Sequence, residues 1–368
     1  MDKEGIVLQD ETNRKNNSSA DKSKYLRVVR GDIAYNTMRM WEGRSAYVGI
    51  EGLVSPAYTV CAPAKGTYSP FFAFYFKTAP LIRLFRQFSQ GLVKDTLNLK
   101  YQAFSRIEIA YPNDENEQNM IADCLTSLDE LVAAQGRKVE ALKTYKRGLM
   151  QELFPREGET VPRLRFPEFR EAAEWEQTDL EQLATFQSGS TPSKANAAFW
   201  TGSIPWVSAK DMKHLLLEDT EDHISKGAVE DGARLVPRGT LLMLTRGMTL
   251  LRDVPICVLD RQMSFNQDVK ALRPKGGANA LFLAYLLVRN TQRLLGMVDV
   301  AGHGTGKLDL DKLKALQLLL PEPPEQQRIA DCLSSLDVQI EFASDAIEAL
   351  KTYKKGLMQQ LFPSPEEV

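Results

Sequence analysis

The chain has few cysteines and histidines and no long apolar run. Its 368 residues include 4 Cys and 3 His, with no Cys-x-x-Cys pair, which argues against a disulfide scaffold or a zinc site. A membrane span needs about 18 consecutive apolar residues, and the N-terminus (MDKEGIVLQDETNRKNN) has no apolar segment of a signal peptide. We therefore predict a cytoplasmic protein without metal or cofactor, in which Cys124 and Cys332 are buried thiols.

Recognisable catalytic motifs are also missing. The chain has no Asn/Asp-Pro-Pro-Tyr/Phe motif, no glycine-rich cofactor motif after a strand, no helicase P-loop and no carboxylate–lysine nuclease cluster. The glycine-rich segment AGHGTGK (301–307) resembles a phosphate loop but lacks the Gly-Lys-Ser/Thr ending. We therefore predict no catalytic residues and a protein that is not itself an enzyme.

Charge is unevenly distributed although the net charge is only −2. Residues 22–112 hold 13 Lys/Arg and 5 Asp/Glu, whereas residues 321–368 hold 4 and 9. The basic first half could bind a polyanion. On composition alone, a solvated surface of uneven charge is an equally good interpretation.

One long segment occurs twice. Residues 117–155 (EQNMIADCLTSLDELVAAQGRKVEALKTYKRGLMQELFP) align without a gap to residues 325–363 at an offset of 208, with 24 of 39 positions identical. Fainter matches precede both copies, such as VVRGDIAYNTMR (28–39) and VPRGTLLMLTRG (236–247). The repeat predicts an architecture of two equivalent halves.

Each copy has the apolar spacing of a coiled-coil helix, with alternating steps of three and four residues. Pro323 and Pro324 suit a helix start, and Pro155 and Pro363 end the pattern. Gln135 and Lys146 are polar interruptions. Because the two patterns match, mutual packing is a better interpretation than two unrelated amphipathic helices. The predicted seam comprises Ile121, Leu125, Leu128, Val132, Val139, Leu142, Leu149, Ile329, Leu333, Leu336, Ile340, Ile347, Leu350 and Leu357.

The segments before the helices mix short strand-like runs with helical stretches such as Pro70–Phe85 and Ala280–Leu294. We predict an α+β protein with two mixed α/β domains and two long antiparallel coiled-coil helices, related by a pseudo-twofold repeat. The expected boundaries are residues 1–112 for the first domain, 113–155 for its helix, 156–174 for an ordered linker, 175–321 for the second domain, 322–363 for its helix and 364–368 for a tail.

This combination resembles the specificity subunit of type I restriction–modification systems. The residues that carry the resemblance are RLRFPEF (163–169) with Trp175, GSTPS (189–193), FWTGSIPWVSAKD (199–211), RGTLLMLTRG (238–247), FNQD (265–268), GHGTGKLDL (302–310) and the repeated helix opening. The resemblance covers nearly the whole chain from about residue 22 onward.

The resemblance implies that each half holds one target recognition domain, and that the two domains read the parts of a bipartite, asymmetric sequence in double-stranded DNA. It implies that the paired helices fix the spacing and dock methyltransferase (modification) subunits, two in number, and that restriction subunits join that core. Target parts about one helical turn apart, near 34–36 Å, suit two domains on a rigid spacer.

The first half departs from this pattern. Arg238 follows Trp175 by 63 residues, whereas only 29 residues precede the equivalent Arg30. Counterparts of GSTPS and FWTGSIPW are absent there. Either the first domain is N-terminally short or another element completes it.

Candidate DNA contacts are polar residues on glycine-containing loops, since Arg, Lys, Asn, Gln, Ser and Thr read or clamp DNA. For each one, a structural or solvated role is at least as good an interpretation as a contact. In the first domain they are Arg30, Asn36, Thr37, Arg39, Arg44 and Lys94, and in the second Lys194, Ser208, Lys210, Arg246, Asn266, Gln267, His303, Thr305 and Lys307. Arg246 and Lys307 suit phosphate better than bases.

Two other interpretations remain at this point. The chain could be a coiled-coil scaffold with little DNA specificity, or an enzyme in its own right. Trp200 and Trp206 could stack on a base, although an aromatic corner that packs the domain edge is the better interpretation.

Overall fold

The computed structural model describes residues 6–11, 21–300 and 304–362. The chain divides into two compact units, which we call unit 1 (Met1–Val139 and Phe342–Val368) and unit 2 (Glu140–Glu341). Both division points fall inside long helices. Each long helix therefore contributes one part to each unit.

Unit 1 contains short antiparallel strands and three helices before the first long helix. The strands are β1 (Leu26–Val28), β2 (Ile33–Asn36), β3 (Ser45–Tyr47), β4 (Gly52–Val54) and β5 (Tyr58–Cys61), and the helices are α1 (Ser69–Tyr75), α2 (Ala79–Phe88), α3 (Tyr101–Phe104) and α4 (Glu115–Leu153). Strands pair in the orders β3-β2-β5 and β1-β4. An aromatic core lies behind them, with Tyr35, Phe71, Tyr75 and Phe85 fully buried.

Unit 2 has the larger sheets. Its strands are β6 (Glu176–Asp179), β7 (Ala184–Ser188), β8 (Ile204–Val207), β9 (Leu216–Leu217), β10 (His223–Ile224), β11 (Leu235–Val236), β12 (Leu241–Leu244), β13 (Arg246–Gly247), β14 (Ile256–Leu259), β15 (Met263–Phe265), β16 (Val269–Pro274), β17 (Val298–Val300), β18 (Gly306–Leu308) and β19 (Gln317–Leu320). Its helices are α5 (Leu180–Leu183), α6 (Lys226–Glu230), α7 (Ala280–Arg289), α8 (Thr291–Leu295), α9 (Leu310–Lys314) and α10 (Pro323–Leu361).

The sheets of unit 2 run in the orders β7-β16-β12-β14-β9, β10-β8-β15-β11, β13-β18-β17 and β19-β6. The strand β12 (LLML) is buried at every position, as expected for the centre of a five-stranded sheet covered on both faces. The pairs β8–β15 and β9–β14 are parallel and the rest are antiparallel. These sheets hold rigid the strand ends from which the polar loops project.

The two long helices predicted from the repeat are present as α4 and α10, each of 39 residues. Half of the predicted seam is buried, namely Ile121, Leu125, Leu128, Val139, Ile329, Leu333 and Leu336. The other half is partly exposed, namely Val132, Leu142, Leu149, Ile340, Ile347, Leu350 and Leu357. The buried residues gather towards the helix starts, where each helix packs against a globular core.

Within each unit, one ion pair joins the two long helices. In unit 2, Lys146 Nζ donates to Asp337 Oδ1 at 2.5 Å, and in unit 1, Lys354 Nζ lies 2.5 Å from Asp129 Oδ1. Lys146 and Lys354, like Asp129 and Asp337, are equivalent positions of the repeat. The polar interruption at Lys146 is therefore an interhelical contact, and it has a counterpart in the other unit.

The repeat also anchors both ends of each helix. At the helix starts, Gln118 Nε2 donates to the Pro112 carbonyl at 2.7 Å and Gln326 Nε2 donates to the Pro321 carbonyl at 2.8 Å. At the helix ends, Phe362 stacks on Tyr75 of unit 1 with ring centroids 5.0 Å apart. The equivalent Phe154 lies 5.5 Å from Phe282 of unit 2 in the same way.

Three expectations need correction. The helix predicted over Pro70–Phe85 is two helices, because Pro80 has no backbone N–H with which to continue the first helix, and the chain is extended at Thr78 before α2 begins. The helix predicted over Ala280–Leu294 likewise divides at Asn290. Cys124 is exposed rather than buried, since it lies beside the seam residue Leu125 and not on it, while Cys332 is partly buried.

No helix in the described parts of the chain is both long enough and apolar enough to cross a membrane. Among those same residues, no group of three or more His, Cys, Asp or Glu side chains is arranged to hold a metal ion.

Candidate nucleic-acid interface

Three of the predicted loops of unit 2 meet at the end of β12. Thr245 donates to the Asp268 carbonyl through both its amide (2.8 Å) and its hydroxyl (3.0 Å), which ties the FNQD loop to this strand end. The Leu308 amide donates to the Thr245 carbonyl at 2.9 Å, which brings in the strand after the glycine-rich loop. As a result Arg246 and Lys307 stand opposite each other on β13 and β18.

The GSTPS segment joins the same site. The Ser190 amide donates to the Phe265 carbonyl at 2.9 Å, and the Thr191 hydroxyl bonds to Gln267 Oε1. A Cβ at Gly189 would lie 2.2 Å from the Asn266 carbonyl oxygen, so only glycine permits this approach. Two motifs that are 76 residues apart in the chain thus form one surface.

Two cations that sequence reasoning missed complete this surface. Arg234 Nη1 donates to the Ser188 carbonyl at 3.0 Å, and Lys270 Nζ donates to the Ser188 hydroxyl. Burial lowers the pKa of Lys270, and the charges of Arg234 and Arg246 lower it further, against the effect of Asp268. Arg234 and Lys270 therefore share Ser188 as a hydrogen-bond partner.

We call Arg234, Arg246, Lys270 and Lys307 the cationic cluster of unit 2. Within the described residues, none of the four forms an ion pair with a carboxylate. Several cations without an ion pair on adjoining strand ends form an arrangement that can bind phosphate oxygens. Lys270 could have been suspected from its polar place in the strand run VKALRP, whereas nothing in the sequence distinguishes Arg234.

Other predicted residues of unit 2 have internal roles. Ser208 donates to Asp211 Oδ2 through both its amide and its hydroxyl at 2.9 Å, which closes a turn. Lys210 Nζ lies 2.9 Å from carboxylate oxygens of both Glu221 and Asp222, whose hydrogen bonds raise the pKa of Lys210. The positive charge of Lys210 is therefore already balanced by these two carboxylates.

The remaining predictions for unit 2 differ in their surroundings. Asn266 Oδ1 accepts the Asp268 amide at 3.0 Å and so shapes its own loop. Lys194 is exposed, and Thr305 is partly buried two residues before Lys307. His303 lies outside the described residues.

The two tryptophans form an aromatic corner. Trp206 is 5% exposed, and its ring meets that of Trp200 edge to face at 5.0 Å between centroids. Both indole nitrogens are engaged, since Trp206 Nε1 donates to the Ser190 carbonyl at 3.0 Å and Trp200 Nε1 to the Ser193 carbonyl at 3.3 Å. The packing role accounts for both side chains.

Unit 1 contains the same junction of three segments as unit 2. Thr37 donates to the Ala57 carbonyl through its amide (3.0 Å) and hydroxyl (2.8 Å), as Thr245 does to Asp268. The Leu99 amide donates to the Thr37 carbonyl at 2.7 Å, as Leu308 does to Thr245. The same three-way junction therefore exists in both units.

The predicted residues of unit 1 gather only in part. Arg39 lies 3.3 Å and Arg44 3.8 Å from Glu42, and Lys94 Nζ lies 5.4 Å from the centre of the Trp41 ring beside it. Asn36 Oδ1 accepts the Met38 amide at 3.0 Å at the same strand end. Arg30 is separate from them, in the turn that precedes the opposite end of β2.

Comparison with known proteins places this geometry in a family. Residues 172–352 match the model of the type I restriction modification DNA specificity domain. This segment of the chain is therefore a DNA specificity domain of the type I restriction–modification kind.

The relatives agree with this assignment. The EcoR124I/EcoR124II specificity subunit of Escherichia coli is 28% identical over 204 residues, which cover 53% of this chain and 50% of the relative. The MjaIX specificity subunit of Methanocaldococcus jannaschii is 28% identical over 194 residues, covering 51% and 44%. The chain thus spans about half the length of these two relatives. The crystal structure of the type I S subunit from M. genitalium has the same fold, with a TM-score of 0.63 at 14% identity over 91% of this chain and 84% of that one.

Proposed function

We propose that this chain recognises a bipartite, asymmetric DNA sequence as the specificity subunit of a type I restriction–modification complex. The cationic cluster of unit 2 carries the proposal, because it lies where three loops meet and its four cations form no ion pair within the described residues. In this assignment modification subunits supply methyl transfer, and restriction subunits supply cleavage through the complex.

The proposed architecture has a target recognition domain in each half, within residues 1–112 and 175–321. The paired halves of α4 and α10 serve as an antiparallel coiled-coil spacer, which the ion pairs Lys146–Asp337 and Lys354–Asp129 support. The repeated helices would present two equivalent docking surfaces, which fits two modification subunits.

The position and partners of each residue indicate whether it would contact phosphate or a base. Arg246 and Lys307 stand on strands and are exposed, which suits phosphate. The exposed Gln267, whose Oε1 accepts the Thr191 hydroxyl, can donate its side-chain NH2 group to a base edge. In unit 1, Arg39 and Arg44 share the carboxylate of Glu42, so their charge is partly compensated before DNA arrives.

Methylation mapping tests the function as a whole. The chain is co-expressed with its modification subunits, and the host genome is read for methylated adenine. We expect a two-part motif. A one-part motif would mean that only one unit reads DNA, and the absence of any motif would favour a scaffold.

Salt-dependent binding tests the cationic cluster. Arg246→Ala in the same complex should weaken binding to the mapped duplex and lower the slope of log K against log salt by about 1, as expected for one lost phosphate contact. Arg273→Ala, at the other end of β16, is the matched control and should leave the slope unchanged. An unchanged slope with an altered motif would make Arg246 a base reader instead.

A further inference from the structure

A cavity of about 850 Å³ lies in unit 1, away from the loops discussed above. The start of α2 forms one wall, and the last turns of α10 with Asp129 and Val132 of α4 form the other. Its size is within the range of small-molecule sites. Its lining has five cations, namely Lys77, Arg83, Lys351, Lys354 and Lys355, against the single carboxylate of Asp129.

Two of these cations have internal partners. Lys354 pairs with Asp129 at 2.5 Å, and Lys351 pairs with Glu348 at 2.7 Å. In the part of the chain that the structure describes, Lys77, Arg83 and Lys355 form no ion pair. Three of the five cations around this cavity therefore have no ion pair within the described residues.

Among these cations, Lys77 has a lowered pKa. Burial lowers its pKa, and the charge of Lys354 lowers it further, against the effect of Asp129. A bound anion would relieve the repulsion between Lys77 and Lys354.

The first turn of α2 adds to the positive potential. Thr78, at the N-cap, does not cap the helix with its side chain, because its hydroxyl donates to the Tyr75 carbonyl at 2.8 Å. The helix start therefore faces the cavity without a side-chain acceptor, and helix starts favour anions. Pro80 and Ala79 line the cavity at this point.

The cavity is not a general feature of the repeat. The helix side is preserved, since Lys351 and Lys354 correspond to Lys143 and Lys146 of unit 2. The domain side is not, since Lys77 corresponds to Val288 in the alignment of FFAFYFK (71–77) with FLAYLLV (282–288). A role in holding the fold together would apply to both units, whereas a ligand of unit 1 alone explains the difference.

The geometry points to a site for a phosphate-bearing anion of nucleotide size in unit 1. Three unpaired cations and a helix start require more than one negative charge, which a single carboxylate lacks and a phosphate or diphosphate supplies. Met358, Val132 and Phe362 give the cavity an apolar wall against which a base can lie. The phosphate can come from a free nucleotide or from a nucleic-acid chain, and both present the same chemistry.

Calorimetric titration of the full chain with pyrophosphate and with ATP tests the site. We expect both to bind, and to bind roughly tenfold or more weakly to Lys77→Val and to the double variant R83A/K355A, a loss of about 1.4 kcal/mol or more. Arg86→Ala, on the same helix but outside the cavity, is the matched control and should bind as the parent does. Circular dichroism verifies that each variant is folded.

Equal affinity in all four proteins, or no binding of either ligand to the parent, would overturn the site. Competition then identifies the source of the phosphate. If duplex DNA of unrelated sequence without terminal phosphates displaces pyrophosphate, the ligand is a nucleic-acid backbone. If ATP displaces it and that DNA does not, the ligand is a free nucleotide.

Discussion

Units 1 and 2 have the same joints and different surroundings. Thr37 and Thr245 tie the same three segments together in each unit, and Gln118 and Gln326 fix the helix starts to equivalent carbonyls. The loops beyond these joints differ in length and charge. The repeat therefore preserves the hydrogen bonds that attach each domain to its helix. The loops that each domain exposes differ between the units.

The helix openings show the clearest difference. Glu325 is buried in unit 2 beneath the linker, where Arg165 forms a two-pronged pair with it at 2.8 and 2.7 Å. The equivalent Glu117 of unit 1 is exposed. The same glutamate is thus a structural residue in one unit and a surface residue in the other.

Removing the partner of Glu325 should give the largest effect on stability. Arg165→Met leaves a buried carboxylate unpaired, which we expect to cost about 3–5 kcal/mol. Arg165 also donates to the carbonyls of Ala172 and Ala173, so the linker should loosen with it. Denaturant unfolding measures the loss. Glu117→Gln, the matched change in unit 1, should stay within about 0.5 kcal/mol, and similar costs for both would contradict the distinction.

The interhelical ion pairs should show an intermediate effect that differs between the units. The Asp337 side chain is 34% exposed and the Asp129 side chain is 52% exposed. Water can replace the lysine less well at Asp337, so removing its lysine should cost more stability. We expect Lys146→Met to cost about 1–2 kcal/mol and Lys354→Met less than about 1.

Amide hydrogen exchange locates each loss in its own unit. Lys143→Met, whose lysine pairs with the exposed Glu140 of the same helix, is the control and should change little. Equal losses at Lys146 and Lys354 would mean that exposure does not decide their strength.

The smallest effect concerns one hydroxyl. Tyr285 donates to Asp337 Oδ2 at 2.7 Å, whereas unit 1 has Phe74 at the equivalent position. Burial and the Asp337 contact raise the pKa of Tyr285. Tyr285→Phe should therefore cost about 1 kcal/mol at neutral pH.

This contribution depends on pH in a defined direction. The pKa of Tyr285 is higher in the folded state than in the unfolded state. Its contribution to stability is therefore fully present below the unfolded-state pKa of about 10, and it is lost as the pH rises above that value. The alkaline loss measured by thermal unfolding should be smaller in Tyr285→Phe than in the parent. Tyr353→Phe, at an exposed tyrosine, should show the parental profile.

Sequence reasoning succeeded where a signal was repeated and failed where the fold brings distant residues together. The two helices were predicted to within two residues of their ends because both copies share the same apolar spacing and prolines. Lys146 was recognised only as an interruption, since its partner Asp337 lies 191 residues away. Arg234 could not be identified because its place beside Lys270 depends on the pairing of β7 with β16.

The division of the chain has a consequence for synthesis. Unit 2 is one continuous segment, while unit 1 is interrupted by it. A ribosome therefore completes all of unit 2 before it makes Phe362, the residue whose ring stacks on Tyr75 in the core of unit 1. The half of the molecule that is made first is the half that finishes folding last, and until then its aromatic surface must be kept from aggregation by other means.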